Sequence, residues 1–235
     1  MKLTKEELKT KIESYCSRIT YLNDCFQLHK LMINSQKEHF SEINEFPALY
    51  QLAKKSFIYV CIIELAKLYE YGSESGLKKL ISICDANHNL FQKKIHNEII
   101  DCCTDKVVKS DDIKVEIQND IAKAKKKLEN LARVIENLKG QRDKFYAHLD
   151  KEYQDEPTAL SNDYPLNYGE IKQLIDAATN ICNTFYQDLC TTSHACQTSN
   201  WDDINNVFKM VKEWKEMKHK EFERQVEEGR KREAK

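Results

Sequence analysis

Between residues 117 and 138, apolar side chains recur as Ile117, Ile121, Ala124, Leu128, Leu131, Ile135 and Leu138, in steps that alternate four and three residues. That is heptad spacing, and only an α-helix presents it as one continuous face. A chain with such a stripe must bury it, so the rest of the sequence has to supply helices to pack against it. The stripe then skips a step. The next apolar positions are Phe145 and Leu149, and position 142, between Leu138 and Phe145, holds an arginine. The spacing predicts one helix from about 113 to 147 with Arg142 on its packing seam.

The packing partners are legible. Thr4 and Glu7 have the spacing of a capping box, opening a helix to about residue 35 with Leu8, Ile12, Tyr15, Ile19, Leu22 and Phe26 on one face. Pro47 suits the first turn of a helix from about 47 to 71, which stops before GSESG. A shorter helix is expected at about 76–85. Another runs from Tyr168 to about 192 and carries Ile171, Leu174, Ile175, Ala178, Ile181, Cys182, Phe185 and Leu189. Between Lys151 and Gly169, KEYQDEPTALSNDYPLNYG reads as an acidic loop punctuated by proline. Past Asp202 and Asp203, either of which could cap it, a charged helix has anchors Ile204, Val207, Phe208, Val211, Trp214 and Met217, after which the sequence is almost wholly polar. Five glycines, three prolines and 32% charged residues in 235 positions suit such a chain. The expected fold is all-α: an up-and-down helical bundle of four to five main helices with a projecting charged C-terminal helix. The expected domains are a bundle over residues 1–195 and the charged helix over 196–235, partly packed and then exposed to solvent.

Composition removes several classes of function. Lys and Arg number 37 against 38 Asp and Glu, so no global field draws the chain to nucleic acid or to a membrane, and any anion site must be local. The longest strongly apolar run, FIYVCII, is far short of the about 20 residues a membrane span needs. Nine cysteines are an odd number without a CxxC pair, and MKLTKEEL has no leader pattern, so the expectation is a reduced, cytoplasmic chain whose thiols mostly fill core space. Cys190, His194 and Cys196 lack the spacing of a zinc motif and have no evident fourth ligand. No metal is expected, and with no glycine-rich phosphate loop no cofactor is either.

Arg142 raises the sharper question. A guanidinium on a helix seam needs a carboxylate, a phosphate or water beside it, because an unpaired buried charge is costly. A structural bridge and an anion site both meet that need. Glu64, in the apolar stretch FIYVCIIELAKLY, is a supporting candidate. It could pair locally with Lys67 at i+3 or reach Arg142 across a helix pair. His148 follows Arg142 by six residues. On an ideal helix this leaves the two about 120° apart, so they meet only if the helix loosens near Tyr146 or a second subunit completes the site.

The stretch RDKFYAHLD at 142–150, with ELAKLYEYGSESGLKKLI at 64–81, is similar to the HEPN superfamily (higher eukaryotes and prokaryotes nucleotide-binding), and most resembles its abortive-infection AbiU-like branch. The resemblance spans roughly residues 10–195. It implies a homodimer whose two motifs line a cleft, and a metal-independent endoribonuclease acting as a toxin or phage-defence effector. Arg142, Asp143 and His148 are the catalytic residues so implied, with Glu64 and Tyr146 in support. RNA is the implied substrate, and an antitoxin or regulatory protein a further expected partner. One antitoxin-controlled branch carries a modifiable tyrosine two residues after the histidine; here that position is Asp150. The alternative reading is a non-catalytic α-helical RNA- or protein-binding module of the same fold.

Overall fold

The computed structural model describes residues 2–91, 110–147, 155, 157–190, 192, 194 and 203–233. Among these, every regular element is helical: α1 (Lys5–Ser35), α2 (Phe40–Ile43), α3 (Pro47–Tyr69), α4 (Leu77–Ala86), α5 (Ser110–Asn130), α6 (Ala132–Gln141), α7 (Pro157–Asp163), α8 (Tyr168–Cys190) and α9 (Asp203–Glu233). A single 3-10 turn (His88–Leu90) and a π-helical turn (Arg142–Ala147) complete the set. The fold is all-α, with five of its helices long. No described helix is long and apolar enough to cross a membrane.

Packing divides the chain into two compact units, one of residues 1–24 and 59–198, the other of Cys25–Ile58 and Ser199–Lys235. The units are discontinuous in sequence, and α9 groups with Cys25–Ile58.

In the first unit, α1 opens on the capping box. The Thr4 amide and hydroxyl donate to Glu7 Oε2 at 2.7 and 2.9 Å, and the Glu7 amide donates to Thr4 Oγ1 at 3.3 Å. These bonds to the ionised carboxylate hold Glu7 below the usual carboxylate range. All seven heptad residues from Ile117 to Leu138 are buried, as are all eight of the positions marked on α8. Each such Leu or Ile contributes about 1.5–3 kcal/mol relative to exposure. Two expectations need correction. The single helix of 113–147 is interrupted at Leu131, whose φ of −96° and ψ of 3° leave the α region, so the stripe is shared by α5 and α6. The stripe survives because Leu131 stays buried and its carbonyl accepts the Ile135 amide at 2.9 Å. The acidic loop contains a helix, α7, with Pro157 at its first position, where a missing N–H costs nothing. A second capping box starts α8: Asn167 N donates to Glu170 Oε2 at 2.9 Å and Glu170 N to Asn167 Oδ1 at 3.0 Å. The buried Tyr69 hydroxyl donates to the Leu174 carbonyl at 2.6 Å and fastens the end of α3 to α8. Gly72, at φ +79°, turns the chain out of α3 through a conformation that L side chains rarely adopt. Cys16, Cys61, Cys84 and Cys182 are buried thiols, and burial pushes Cys84 well above the ordinary thiol range. Such thiols behave as core filler.

The second unit packs Met32, Ile43, Tyr50 and Phe208 into a small core, with the Tyr50 hydroxyl donating to the Met32 carbonyl. The C-terminal helix differs from expectation. Of its six anchors only Phe208 is buried; Ile204 and Val211 are partly covered, and Val207, Trp214 and Met217 are exposed. One heavily used aromatic replaces a stripe: Phe208 stacks on His39, with centroids 4.6 Å apart, and contacts Phe46 and Tyr50.

His29 makes this unit sensitive to acid. It is buried, and its Nδ1–H donates to the Lys54 carbonyl at 2.7 Å. Burial holds its pKa below the ordinary value, partly opposed by the carbonyl bond and assisted by the Lys54 charge. The unfolded chain therefore takes up this proton first, near pH 6.5, and stability present above that pH is lost as pH falls toward the native value. The expected result is a lower melting temperature at pH 5.5 than at pH 7.5. A His29→Gln variant should show a flatter dependence. An equal slope in the variant would assign the effect elsewhere.

Candidate functional site

Arg142 ends α6 and begins the π turn. Its seam position is real: the side chain is 17% exposed, following Leu138, which is fully buried. Two carboxylates hold the guanidinium. Nε donates to Asp143 Oδ1 at 2.6 Å and Nη1 lies 3.2 Å from Glu70 Oε1. The Asp143 bond is the largest influence raising the arginine's already high pKa, with burial opposing and Glu70 adding to it. Among the described residues these contacts occupy two of the five N–H donors of a guanidinium fork, which leaves donors for an incoming anion.

Glu64 is not the partner. Its Oε1 accepts from Lys67 Nζ at 2.7 Å and its Oε2 lies 3.5 Å from Arg18 Nη2 on α1. The reason is helical geometry: Glu64 and Glu70 are six residues apart, which separates them by about 9 Å along the axis and about 120° around it. Glu64 thus turns to α1, while Glu70, one residue past the end of α3, reaches Arg142. The supporting role expected for Glu64 passes to Glu70. Only a weak sequence signal marks Glu70, its place beside the Tyr–Gly turn after α3.

The π turn is the second feature of the site. Over Arg142–Ala147, a span that includes Tyr146, the helix widens to i→i+5 bonding, while the position of His148 relative to Arg142 lies outside the described residues. Tyr146 is half-buried within the turn. Its ring lies 5.6 Å from that of Tyr59 and 5.2 Å from that of Phe145, centroid to centroid. Burial pushes its hydroxyl above the ordinary tyrosine pKa, and its ring serves as a packing group. Two side-chain amides brace the preceding helix: Asn137 Nδ2 donates to the Pro165 carbonyl at 2.7 Å and Gln141 Nε2 to the Tyr164 carbonyl at 2.8 Å.

The structure therefore brings together Arg142, Asp143 and Glu70, places Tyr146 one turn on, and sends Glu64 to another helix. His148, Leu149, Asp150 and Cys196 lie outside the described residues. Among the described residues, no group of three or more His, Cys, Asp or Glu side chains converges as a metal site.

Comparison with curated proteins and with solved structures finds no match. Residues 5–210 match the HEPN family described as AbiU2. That span contains the whole Arg142 site and all of the first unit from the start of α1. By this match over most of its length, the chain belongs to the AbiU2 family of HEPN abortive-infection proteins.

Proposed function

We propose that this protein is a metal-independent endoribonuclease, acting as a homodimer and serving as a toxin or phage-defence effector. The observation that carries the reading is the Arg142 guanidinium, fixed by Asp143 and Glu70 at the start of a π-widened turn, six residues ahead of His148 in a HEPN chain. In the proposed reaction, His148 removes the proton from an RNA 2′-hydroxyl. The 2′-oxygen attacks the adjacent phosphorus, the bond to the 5′-oxygen breaks, and that oxygen takes up a proton. The products are a 2′,3′-cyclic phosphate and a 5′-hydroxyl. Arg142 stabilises the charge that builds on the phosphoryl oxygens, and Asp143 keeps the fork oriented. In a dimer, one histidine serves as base and its counterpart as acid.

One observation favours a second reading, a non-catalytic binding module: Arg142 already has two carboxylate partners, as a structural bridge would. The readings separate when purified protein is incubated with single-stranded RNA in EDTA and the product ends are analysed. The nuclease should release cyclic-phosphate ends, and His148→Ala should abolish them. Intact RNA at every protein concentration would overturn the proposal in favour of the binding module.

A further inference from the structure

Beside Arg142 lies a group of side chains that the proposed cleavage chemistry does not use. Tyr71 is 53% exposed just past α3, and two ammonium groups approach its ring: Lys78 Nζ at 3.6 Å and Lys139 Nζ at 4.0 Å from the centroid. Both distances lie well inside the cation–π range. Lys139 is one helical turn before Arg142, and Glu70, which pairs with Arg142, adjoins Tyr71. The Glu70–Tyr71 dipeptide thus holds three cations close together.

The placement of these lysines is electrostatically unfavourable. Among the described residues neither Lys78 nor Lys139 lies within 4.0 Å of a carboxylate, while both are gathered at the Tyr71 ring and Lys139 lies close to the Arg142 guanidinium and its two carboxylates. Lys78 is in the first turn of α4, at the positive end of the helix dipole, and that turn contains no acidic residue. Lys139 is half-buried; burial, then Arg142, then Lys78 each push its ammonium below the ordinary lysine range, against the pull of Glu70 and Asp143. Glu70 and Asp143 already hold Arg142, and three cations face those two carboxylates. What would satisfy the group is an anion that bridges the lysines.

We infer that Lys78 and Lys139, gathered at the ring of Tyr71, form a second phosphate subsite that grips the backbone of single-stranded RNA next to the phosphate held by Arg142. The inference rests on the ribonuclease reading for its substrate. Tyr71 is a positioning residue: the lysines occupy its ring, so its role is to hold two flexible ammonium groups in place before the strand arrives, which lowers the ordering cost of binding.

The test measures affinity rather than turnover. A fluorescent single-stranded RNA with 2′-O-methyl groups throughout cannot be cleaved by 2′-attack, and its binding to the full chain is followed across a salt series. The paired variant Lys78→Met with Lys139→Met keeps the apolar stems and removes both charges. It should weaken binding several-fold and lower the slope of log affinity against log salt by about 0.7 for each phosphate no longer neutralised. Tyr71→Phe should leave affinity and slope unchanged, and Tyr71→Leu should weaken binding while the melting temperature holds. An unchanged affinity and slope in the double lysine variant overturns the subsite, as does failure of the wild-type chain to bind this RNA. The two proposals fail separately. Lysine-dependent binding without cleavage of ordinary RNA retains the subsite and removes the nuclease; cleavage with lysine-independent binding does the reverse.

Discussion

Arg142→Ala is expected to slow single-turnover RNA cleavage by about 10²–10³-fold, the loss typical of removing one donor aimed at charge that develops in a transition state. The stability cost should be small. Glu70 and Asp143 are 42% and 47% exposed, so water can solvate both once the guanidinium is gone, and such partly exposed ion pairs contribute only about 0–1 kcal/mol. The variant should therefore melt within a few degrees of the wild type while losing cleavage. Arg142→Lys should recover little, because an ammonium cannot bond Asp143 and Glu70 at once with the planar fork that Nε and Nη1 provide. Cleavage rates and thermal melts on the same preparations decide the matter. Cleavage that falls only in proportion to the folded fraction would make Arg142 a structural bridge and would end its catalytic assignment.

Gly140→Ala is expected to destabilise the first unit by about 1–3 kcal/mol, against the sign that helix propensity alone suggests. Alanine is favoured over glycine inside a helix by about 1 kcal/mol, and Gly140 is the ninth of ten residues in α6. A Cβ at this position, however, would lie 2.0 Å from Tyr164 Cδ1 and 2.4 Å from Tyr164 Cγ. These are the root and flank of the ring rather than its tip, so the whole ring has to move. That motion would strain the Gln141 bond to the Tyr164 carbonyl and the Asn137 bond to Pro165, the two braces before the π turn. The melting temperature should drop by several degrees. Double substitution with Tyr164→Ala removes the ring, so adding Gly140→Ala on that background should be neutral or stabilising. A stabilised single variant would show that Tyr164 swings away at little cost.

Most helices can be read in advance because their signals are local or periodic. The Thr4–Glu7 box, Pro47 at the start of α3 and the buried stripe from Ile117 to Leu138 each depend on residues a few positions apart. Local rules fail where a longer-range partner decides the outcome. Val207, Trp214 and Met217 have helical spacing, yet spacing cannot say whether another surface lies opposite; the second unit uses Phe208 and leaves those three exposed. Proline in the stretch after the motif reads as punctuation, although Pro157 is equally suited to a first helical position.

At the site, the sequence alone determined that Arg142 interrupts an apolar seam and must therefore be paired, since a seam position excludes water enough to make an unpaired charge costly. It also placed Asp143 beside it and His148 six residues on. Only the tertiary structure decided which carboxylate answers the arginine. Glu64 lies within α3 and Glu70 one residue past its end, and choosing between them requires knowing how far along α3 the end of α6 falls. Nor does any local pattern foretell that Lys139 meets the ring of Tyr71 beside Lys78, since it comes from a distant stretch of chain. Helix identity follows from contacts within a few residues, whereas pairing of charges follows from the axial register between helices, which is set by the packing of the whole unit.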